Sequence, residues 1–491
     1  MGCIVKEDEL DGTAPCVVER RSFLKGGLAA LGFLALPGGR VFAAPVGWRP
    51  TGKPDLVVGI LSDTHLQTGW DGVTPHKHFP HTYVANAMKH FSTRKIDALV
   101  HLGDMAHRGK IAEAQYHRDI FDRFFSRKKV EKLLVVGNHE WFGEEKGFAG
   151  ASAVNIWKDP VERAKHTLCS DMPRRWEQVW GERYEPVWHK EVKGFHFFGR
   201  HWDVDEMELA NFINAKADEY SLRGTKPFFI LSHESNRFAC CSALKEFPNA
   251  IAFCGHWHMS NADWKTIFFD DLGGFFPTIQ VGSCRMDGGN VLDAKERLAK
   301  GAPVEEKNDP DEKTDWQECK RPSRQGLVMS VYGNQAVVIE RREFGDGGSL
   351  GPDWVFPIGK FETKPYSRAA LTEKIGSPEF RPKAKLVLKD AGQHVRITIP
   401  MADGNPESRV YAYDIVVSGD DPKQRLFRSA YFAGCNAGIG HEPDGGRTNV
   451  DLPKSLLPTG KTLTFSVRPL SSLGTSGKAI VVKSCNVGKS A

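Results

Sequence analysis

Short apolar runs alternate with segments of helical periodicity over the first two thirds of the chain. Between residues 54 and 344, runs such as 56–61 are bounded by Gly, Asp, Asn or His, whereas 84–91 and 111–125 carry apolar residues at helical spacing. Runs that are apolar throughout indicate strands buried on both faces. The alternation predicts an α/β (α+β) domain over residues 54–344.

The pattern changes twice further along the chain. Residues 345–383 are rich in Gly and Pro, which predicts a linker. From 384 to 491, short alternating runs predict strands at 386–388, 395–399, 410–417, 429–432 and 463–467. These strands predict a smaller all-β C-terminal sandwich. Their spacing resembles that of a fibronectin type III module.

The first residues have the layout of an export signal. The basic segment Arg20-Arg21-Ser22-Phe23-Leu24-Lys25 precedes an apolar stretch over 26–37, and small residues follow at 43–44. That stretch is too short for a membrane helix, which needs roughly 20 residues. The segment resembles a twin-arginine signal peptide over residues 1–43, with cleavage after Ala43. We therefore expect twin-arginine export machinery as a partner, a periplasmic or secreted protein, and no transmembrane segment in the mature chain.

Composition excludes several other classes of protein. The chain has 491 residues, 40% of them hydrophobic and 26% charged, so it can bury a large core. Its net charge of +5 is spread along the chain, and we expect no specific nucleic-acid binding. The ten cysteines show no CxxC framework. Disulfide pairing and oligomeric state stay open.

Five predicted strands end in the same kind of residue, which is the main functional signal. The motifs at these strand ends are Ser62-Asp63-Thr64-His65, Gly103-Asp104, Gly137-Asn138-His139-Glu140, Ser232-His233-Glu234 and Gly255-His256-Trp257-His258. In open α/β sheets ligands bind outside the carboxyl ends of the strands, where the loops converge. We therefore expect the five motifs to form one site.

The motifs supply enough metal ligands for two ions. Seven side chains are candidates: Asp63, His65, Asp104, Asn138, His233, His256 and His258. Two cations about 3.5 to 4 Å apart need a shared anionic ligand, and Asp104 is the natural bridge. Oxygen and imidazole donors without thiolate favour Mn, Fe or Zn. We expect two divalent ions per chain.

The blocks DxH, GDxx, GNH[ED], H and GHxH occur complete and in this order, and through them the sequence resembles the calcineurin-like metallophosphoesterases. The resemblance implies two packed mixed β-sheets flanked by helices, with a dimetal site at one sheet edge. It assigns the ligands to two ions that share Asp104: Asp63, His65, Asp104 and His258 to one, and Asp104, Asn138, His233 and His256 to the other. His139 would lie beside the substrate and protonate the leaving oxygen or steady the transition state.

At two motifs the sequence differs from particular groups of metallophosphoesterases. Purple acid phosphatases carry DxG and GDxxY blocks, whereas this chain has His65 and His107 at the diagnostic positions, which argues against a purple enzyme. The segment 103–109 also echoes the GDxxDRG block of protein phosphatases, with His107 in place of the second Asp. Arg108 is therefore a candidate phosphate contact; the alternative is a solvated arginine that opens a helix.

Three further features have non-catalytic interpretations that we favour. Residues 347–351 match the GxSxG nucleophile motif, but no apolar strand precedes them and they lie in the predicted linker. The cluster His76, His78 and His81 could add metal affinity or line the site, although a polar loop is the favoured interpretation. Four aromatic residues could form an apolar wall of the substrate site or the core of an insert, and we favour the core. They are Trp176, Trp180, Tyr184 and Trp188.

Together these features predict an exported, dimetal-dependent phosphoric ester hydrolase. A metal-activated hydroxide would attack phosphorus in a small-molecule phosphate ester, either a phosphomonoester or a phosphodiester. The alternative is an envelope protein that binds a metal or ligand, with an idle phosphoesterase site and an adhesive β-sandwich.

Overall fold

The structure is a computed structural model of the chain. It describes residues 48–67, 82–107, 109–126, 129–141, 172–234, 242–258, 261, 266–268, 275–284, 324–345, 348–359, 361, 366, 370, 377–403, 410–419, 425–432, 447–457, 462–471 and 475–484. The predicted signal segment, Arg108 and the histidines at 76, 78 and 81 lie outside these residues.

The described residues form strands in both halves of the chain and helices mainly in the first. In chain order the strands are β1 (Leu56–Leu61), β2 (Ala98–His101), β3 (Glu131–Leu134), β4 (Val187–Val192), β5 (Phe195–Arg200), β6 (Phe228–Ser232), β7 (Ala250–Cys254), β8 (Ile267–Phe268), β9 (Thr278–Gln280), β10 (Gln325–Tyr332), β11 (Ala336–Glu343), β12 (Trp354–Pro357), β13 (Glu379–Phe380), β14 (Val387–Ala391), β15 (His394–Pro400), β16 (Ala402–Asp403), β17 (Val410–Ser418), β18 (Arg425–Phe432), β19 (Arg447–Pro453), β20 (Leu463–Ser471) and β21 (Ile480–Ser484). The helices are α1 (Thr82–Arg94), α2 (Ile111–Phe125), α3 (Asn138–Trp141), α4 (Met172–Trp180) and α5 (Glu206–Lys216), with short 3-10 turns at Ser242–Leu244 and Lys454–Leu456.

Two six-stranded mixed sheets form the first domain. One has the order β12-β11-β10-β1-β2-β3, in which β1, β2 and β3 are parallel. The other has the order β4-β5-β6-β7-β9-β8, in which β5, β6, β7 and β9 are parallel. The predicted pair of mixed sheets is confirmed.

The two sheets pack face to face through one apolar core. Val58 and Ile60 of β1 share that core with Phe229 of β6 and Phe253 of β7. The outer face of the first sheet is covered by α1 and α2, and that of the second sheet by α5. Strands covered on both faces are apolar throughout because neither face meets water. The helical patterns over 84–91 and 111–125 correspond to α1 and α2.

The aromatic group around α4 is core, as favoured from the sequence. Trp176, Trp180 and Tyr184 are buried in one cluster with Met105 of the loop after β2. Trp188 lies in the core between the sheets instead. All four side chains are buried.

The first sheet extends into the Gly/Pro-rich segment. Strand β12 pairs antiparallel with β11, and Trp354, Phe356 and Phe361 join the core between the sheets. Within the GxSxG match, the Ser349 hydroxyl donates to the Gly351 carbonyl, 2.6 Å away, in the connection that precedes β12. Much of this segment is therefore an ordered part of the first domain.

The C-terminal residues form an all-β unit with its own core. A three-stranded sheet, β14-β15-β19, and a four-stranded sheet, β18-β17-β20-β21, are antiparallel throughout. Residues from both sheets, such as Ile397, Ile415 and Phe465, are fully buried in one cluster. All five strands predicted from the alternation are present, and the fibronectin type III resemblance stays a prediction. Across the described parts of both domains, no helix combines the length and apolarity that crossing a membrane requires.

Two buried histidines make the fold sensitive to acid. His117 of α2 is fully buried against His101 and Trp180, and neither of its ring nitrogens has a hydrogen-bond partner in the described structure. Burial lowers the pKa of His117 to about 3, and it does the same for His201. Both rings are neutral in the folded protein at neutral pH.

We predict that His117→Leu flattens the acid dependence of stability. Between pH 3 and the unfolded-state pKa of 6.5 the unfolded chain binds more protons than the folded one, so stability falls as pH falls. Each pH unit well inside that window is about 1.4 kcal/mol per histidine. Urea unfolding in excess chelator should lose about 2 kcal/mol less between pH 7 and pH 5 in the variant than in the wild type. An unchanged loss would contradict a neutral, buried His117.

Candidate metal centre

The five predicted strand ends meet at one place. Strands β1, β2 and β3 deliver Asp63, His65, Asp104 and Asn138 from one sheet, and β6 and β7 deliver His233, His256 and His258 from the other. Because the sheets are packed face to face with parallel central strands, their carboxyl ends open onto a common edge. All seven predicted ligands lie there.

An unusual backbone conformation turns the ligands inward. Five of the nine non-glycine residues with positive φ in the described structure are predicted ligands: Asp63 (φ 51°), His65 (42°), Asp104 (55°), His256 (72°) and His258 (51°). Such conformations cost of order 1–3 kcal/mol each and persist where surrounding structure enforces them. Left-handed residues at positions i and i+2 explain the DxH and HxH spacings, because they bring both side chains to one side of the loop.

Hydrogen bonds between loops hold this conformation. The backbone N–H of His65 donates to the Asp104 carbonyl at 2.8 Å, and that of Asp63 donates to the Gly103 carbonyl at 3.1 Å. The His256 N–H donates to Asp63 Oδ2 at 3.0 Å, which links the two sheets. The ligand loops therefore fix one another in place.

The first ligand cluster contains Asp63, His65 and His258. Nε2 of His258 lies 3.0 Å from Nε2 of His65 and 3.2 Å from Oδ1 of Asp63. With metal–ligand bonds of about 2.1 Å, neighbouring ligand atoms on one ion are about 3.0 to 3.4 Å apart for octahedral or tetrahedral angles. The spacing of this cluster fits one divalent ion.

The second cluster contains Asn138, His233 and His256. Nε2 of His233 lies 2.9 Å from Oδ1 of Asn138, and Nδ1 of His256 lies 3.2 Å from the same oxygen. Asp104 stands between the clusters, with Oδ2 at 3.3 Å from Nε2 of His233 and 3.7 Å from Nε2 of His65. One carboxylate oxygen thus lies close to imidazole nitrogens of both clusters.

The chemistry of these atoms also fits cations. Nδ1 of His233 lies 2.7 Å from the carbonyl oxygen of Leu102, which can only accept, so Nδ1 carries a proton. In the neutral ring, Nε2 then directs a lone pair toward oxygens of Asn138 and Asp104. Such convergence of lone pairs in a buried site requires a proton or a metal ion between them.

The pKa shifts of the metal-free site also show that the Asp104 carboxylate needs positive charge beside it. Burial raises the pKa of Asp104, but His233 and His139 outweigh it and hold that pKa well below its ordinary value. Burial lowers the pKa of His233, yet Asp104 raises it to about 10. His233 therefore supplies positive charge to the carboxylate as long as no ion does.

His139 lies beside the clusters rather than within either of them. Its Nδ1 donates to the His107 carbonyl at 2.7 Å, and its Nε2 points toward Oδ2 of Asp104 at 3.8 Å. Its ring packs edge-on against that of His65, with centroids 4.4 Å apart. The His107 ring stacks on that of His139 with centroids 5.4 Å apart and lies 5.5 Å from that of His65, so the three imidazoles form a further group of possible ligands.

Sequence reasoning missed three residues that support the ligands. Glu140 is buried, and its carboxylate accepts backbone N–H groups of Asp104 (2.9 Å), Ala106 (2.8 Å) and Gly137 (2.7 Å). The hydroxyl of Ser62 donates to Oδ2 of Asp63 at 2.5 Å, and that of Ser283 donates to the Asp63 carbonyl at 2.8 Å. The motif GNHE could have identified Glu140, whereas nothing in the sequence links Ser283 to Asp63.

We predict that Gly137→Ala destroys the centre. A Cβ at this position would lie 2.2 Å from Oδ1 of Asp104, so the bridging carboxylate would have to move. Displacement of a reacting group by about 1 Å can cost about 10²-fold in rate, and we expect at least that loss in catalytic turnover, together with reduced metal content by elemental analysis.

The matched control is Gly392→Ala in the turn between β14 and β15. Its φ is 75° and no atom lies within 4 Å of the added methyl group, so the variant should lose only about 1 kcal/mol of stability. Full metal content and turnover in Gly137→Ala would contradict the close approach of Gly137 to Asp104.

The chain was compared with protein-family models, curated protein sequences and solved structures. Residues 56–260 match the family model described as calcineurin-like phosphoesterase. No curated protein sequence matches the chain.

Solved structures with a similar fold include a dimetal phosphatase from Danio rerio, with a TM-score of 0.35 and 10% identity, covering 62% of this chain and 100% of that one. Another is the purple acid phosphatase PPD1 from yellow lupin, Lupinus luteus, with a TM-score of 0.38 and 14% identity, covering 62% of this chain and 53% of that one. A third is the sulfate thiohydrolase SoxB from Thermus thermophilus, with a TM-score of 0.29 and 10% identity, covering 76% and 77%. Similarities this low carry no information on substrate.

The family match covers all five ligand-bearing strand ends in full. It therefore includes all seven predicted ligands. Residues 56–260 thus form a calcineurin-like phosphoesterase domain, the domain of a metal-dependent phosphoesterase.

Proposed function

We propose that the protein is an exported phosphoric ester hydrolase that works with two divalent ions, Mn, Fe or Zn. The observation that carries this proposal is the position of Asp104, whose Oδ2 lies within 3.7 Å of imidazole nitrogens from both ligand clusters. A single ion would leave one cluster without a cation. Two ions that shared Asp104 would use all seven candidate ligands.

The bound ions would activate water as the nucleophile and offset negative charge on the phosphoryl oxygens. The chain's own contribution is to hold the ligands in place before substrate arrives. The left-handed loops, the hydrogen bonds between them and the Glu140 carboxylate fix Asp104 from three directions. Such preorganisation reduces the rearrangement needed as charge develops.

His139 is suited to move a proton at Nε2. Its Nδ1 proton is held by the His107 carbonyl, so protonation of Nε2 gives an imidazolium next to the Asp104 carboxylate. That Nε2 proton can pass to the ester oxygen as the bond to phosphorus breaks. The ring is 14% exposed, which leaves one edge open to a bound ester.

Every group named above would serve the phosphoryl unit, which monoesters and diesters share. Turnover of p-nitrophenyl phosphate and of bis(p-nitrophenyl) phosphate, each with added Mn, tests the proposal and decides the class. Absence of turnover on both esters at full metal content would refute it.

We predict that Asp104→Asn and His139→Ala fail in different ways. Asp104→Asn removes the bridging charge and should lower metal content from two ions per chain to one or none. His139→Ala should keep both ions and lose turnover on the order of 10²-fold or more, because it removes only the proton donor.

Metal analysis and single-ester kinetics on the same samples separate the two effects. Excess chelator should abolish wild-type activity, and Mn, Fe or Zn should restore it. Two ions in Asp104→Asn with one in His139→Ala would reverse the assignment.

We propose that residues 1–43 direct twin-arginine export, on the strength of the Arg20-Arg21 motif and the small residues before the cleavage point. Amino-terminal sequencing of the protein from the envelope or medium should begin at Ala44. Arg20→Lys with Arg21→Lys should retain the precursor in the cytoplasm. Export that is unaffected by this double substitution would contradict the proposal.

A further inference from the structure

One aromatic side chain at the metal centre is exposed. The structure describes eight of the twelve tryptophans, and among these Trp257 is the one classed as exposed, with 47% of its surface open to solvent. Exposed apolar area of this size is unfavourable in water. At the edge of a binding site, a ligand that covers the indole would account for this exposed surface.

Trp257 has a fixed place relative to both ligand clusters. It stands between His256 of one cluster and His258 of the other. The flanking residues have φ values of 72° and 51°, and the Trp257 N–H donates to the Gly255 carbonyl at 2.9 Å. This turn places the two imidazoles in the two ligand clusters and leaves the indole exposed. The indole ring centre lies 5.6 Å from that of His256, at an angle of 83°.

The position of the indole determines which part of a substrate can reach it. A phosphate ester bound to two ions would turn its phosphoryl oxygens toward the ligand clusters, and its ester substituent would then extend toward solvent. An indole next to a ligand imidazole is then beside that substituent. Indole faces stack on planar rings, and such contacts are tolerant of the particular ring.

We propose that Trp257 forms a stacking wall for the ester substituent and that the enzyme prefers phosphate esters carrying a planar aromatic ring. The inference rests on the proposed function, because it takes the phosphoryl group to lie between the two clusters. The ring can be a simple aryl group or a nucleobase, which share this chemistry. Trp257 is thus a specificity residue and no part of the metal-binding set.

Binding of non-hydrolysable phosphonates tests the wall without turnover. Calorimetry on the Mn-loaded full chain would compare phenylphosphonate with methylphosphonate. Trp257→Ala should weaken phenylphosphonate binding roughly tenfold and methylphosphonate binding less than about twofold. Trp257→Phe should retain most of the preference, since it keeps a planar ring.

The matched control is Phe275→Ala. Phe275 is also an exposed aromatic of the second sheet, at 39%, but it precedes β9, whereas the ligands follow the parallel strand β7, so it lies at the opposite edge. This variant should bind both phosphonates as the wild type does. Equal weakening of both ligands in Trp257→Ala, or no weakening of either, would overturn the inference.

Kinetics then distinguish the two sources of the ring. The ratio of kcat/KM between wild type and Trp257→Ala would be measured for phenyl phosphate, a nucleoside 5′-monophosphate and glycerol phosphate, with metal content checked in each sample. A wild-type to variant ratio of kcat/KM near ten for one or both ring-bearing esters, with a ratio near one for glycerol phosphate, supports the stacking wall. The ester with the high ratio shows whether the preferred ring is an aryl group or a nucleobase. A wild type that binds phenylphosphonate preferentially but cleaves no ester would refute the proposed function while leaving the stacking wall intact.

Discussion

The site depends on one buried carboxylate. Oδ2 of Asp104 lies 3.3 Å from His233, 3.7 Å from His65 and 3.8 Å from His139, while its Oδ1 accepts the His139 N–H at 2.9 Å. An isolated anion at this depth would be very unfavourable, so the surrounding positive charge is a condition of the fold as well as of catalysis. Protonated imidazole supplies that charge in the metal-free protein, and metal ions would supply it in the active one.

The space around this carboxylate explains why glycines precede the ligands. The loop after β3 passes so close to Asp104 that Gly137 has no room for a side chain, and Gly255 stands equally close to Ser62 and Asp63. The GD, GN and GH pairs in the sequence are therefore steric requirements of loops packed against one another. Glu140 completes the arrangement by accepting N–H groups from two of these loops, and its own pKa is raised to about 7, chiefly by burial.

The extent of the first domain shows where sequence patterns stop being informative. Gly and Pro after residue 344 predict a linker, yet β12 adds a strand to the first sheet and buries Trp354 and Phe356 between the sheets. A four-residue edge strand has too short a pattern to stand out from its surroundings. Its membership in the sheet depends on pairing with β11, and that pairing is a tertiary contact.

The sequence by itself determined the elements and the ligand types. Apolar runs that end in Asp, Asn or His identified five strands and seven candidate ligands, because strand burial and metal chemistry each restrict the residues allowed at a position. Only the tertiary structure decided how they combine: that Asp104 faces both clusters, that Ser283 supports Asp63 from 220 residues away, and that Trp257 stays at the rim while its neighbours turn inward. These relations arise from the packing of two sheets and from left-handed loop conformations. Neither leaves a periodic signal in the order of residues, since each joins positions that are distant along the chain or depends on a single backbone torsion angle.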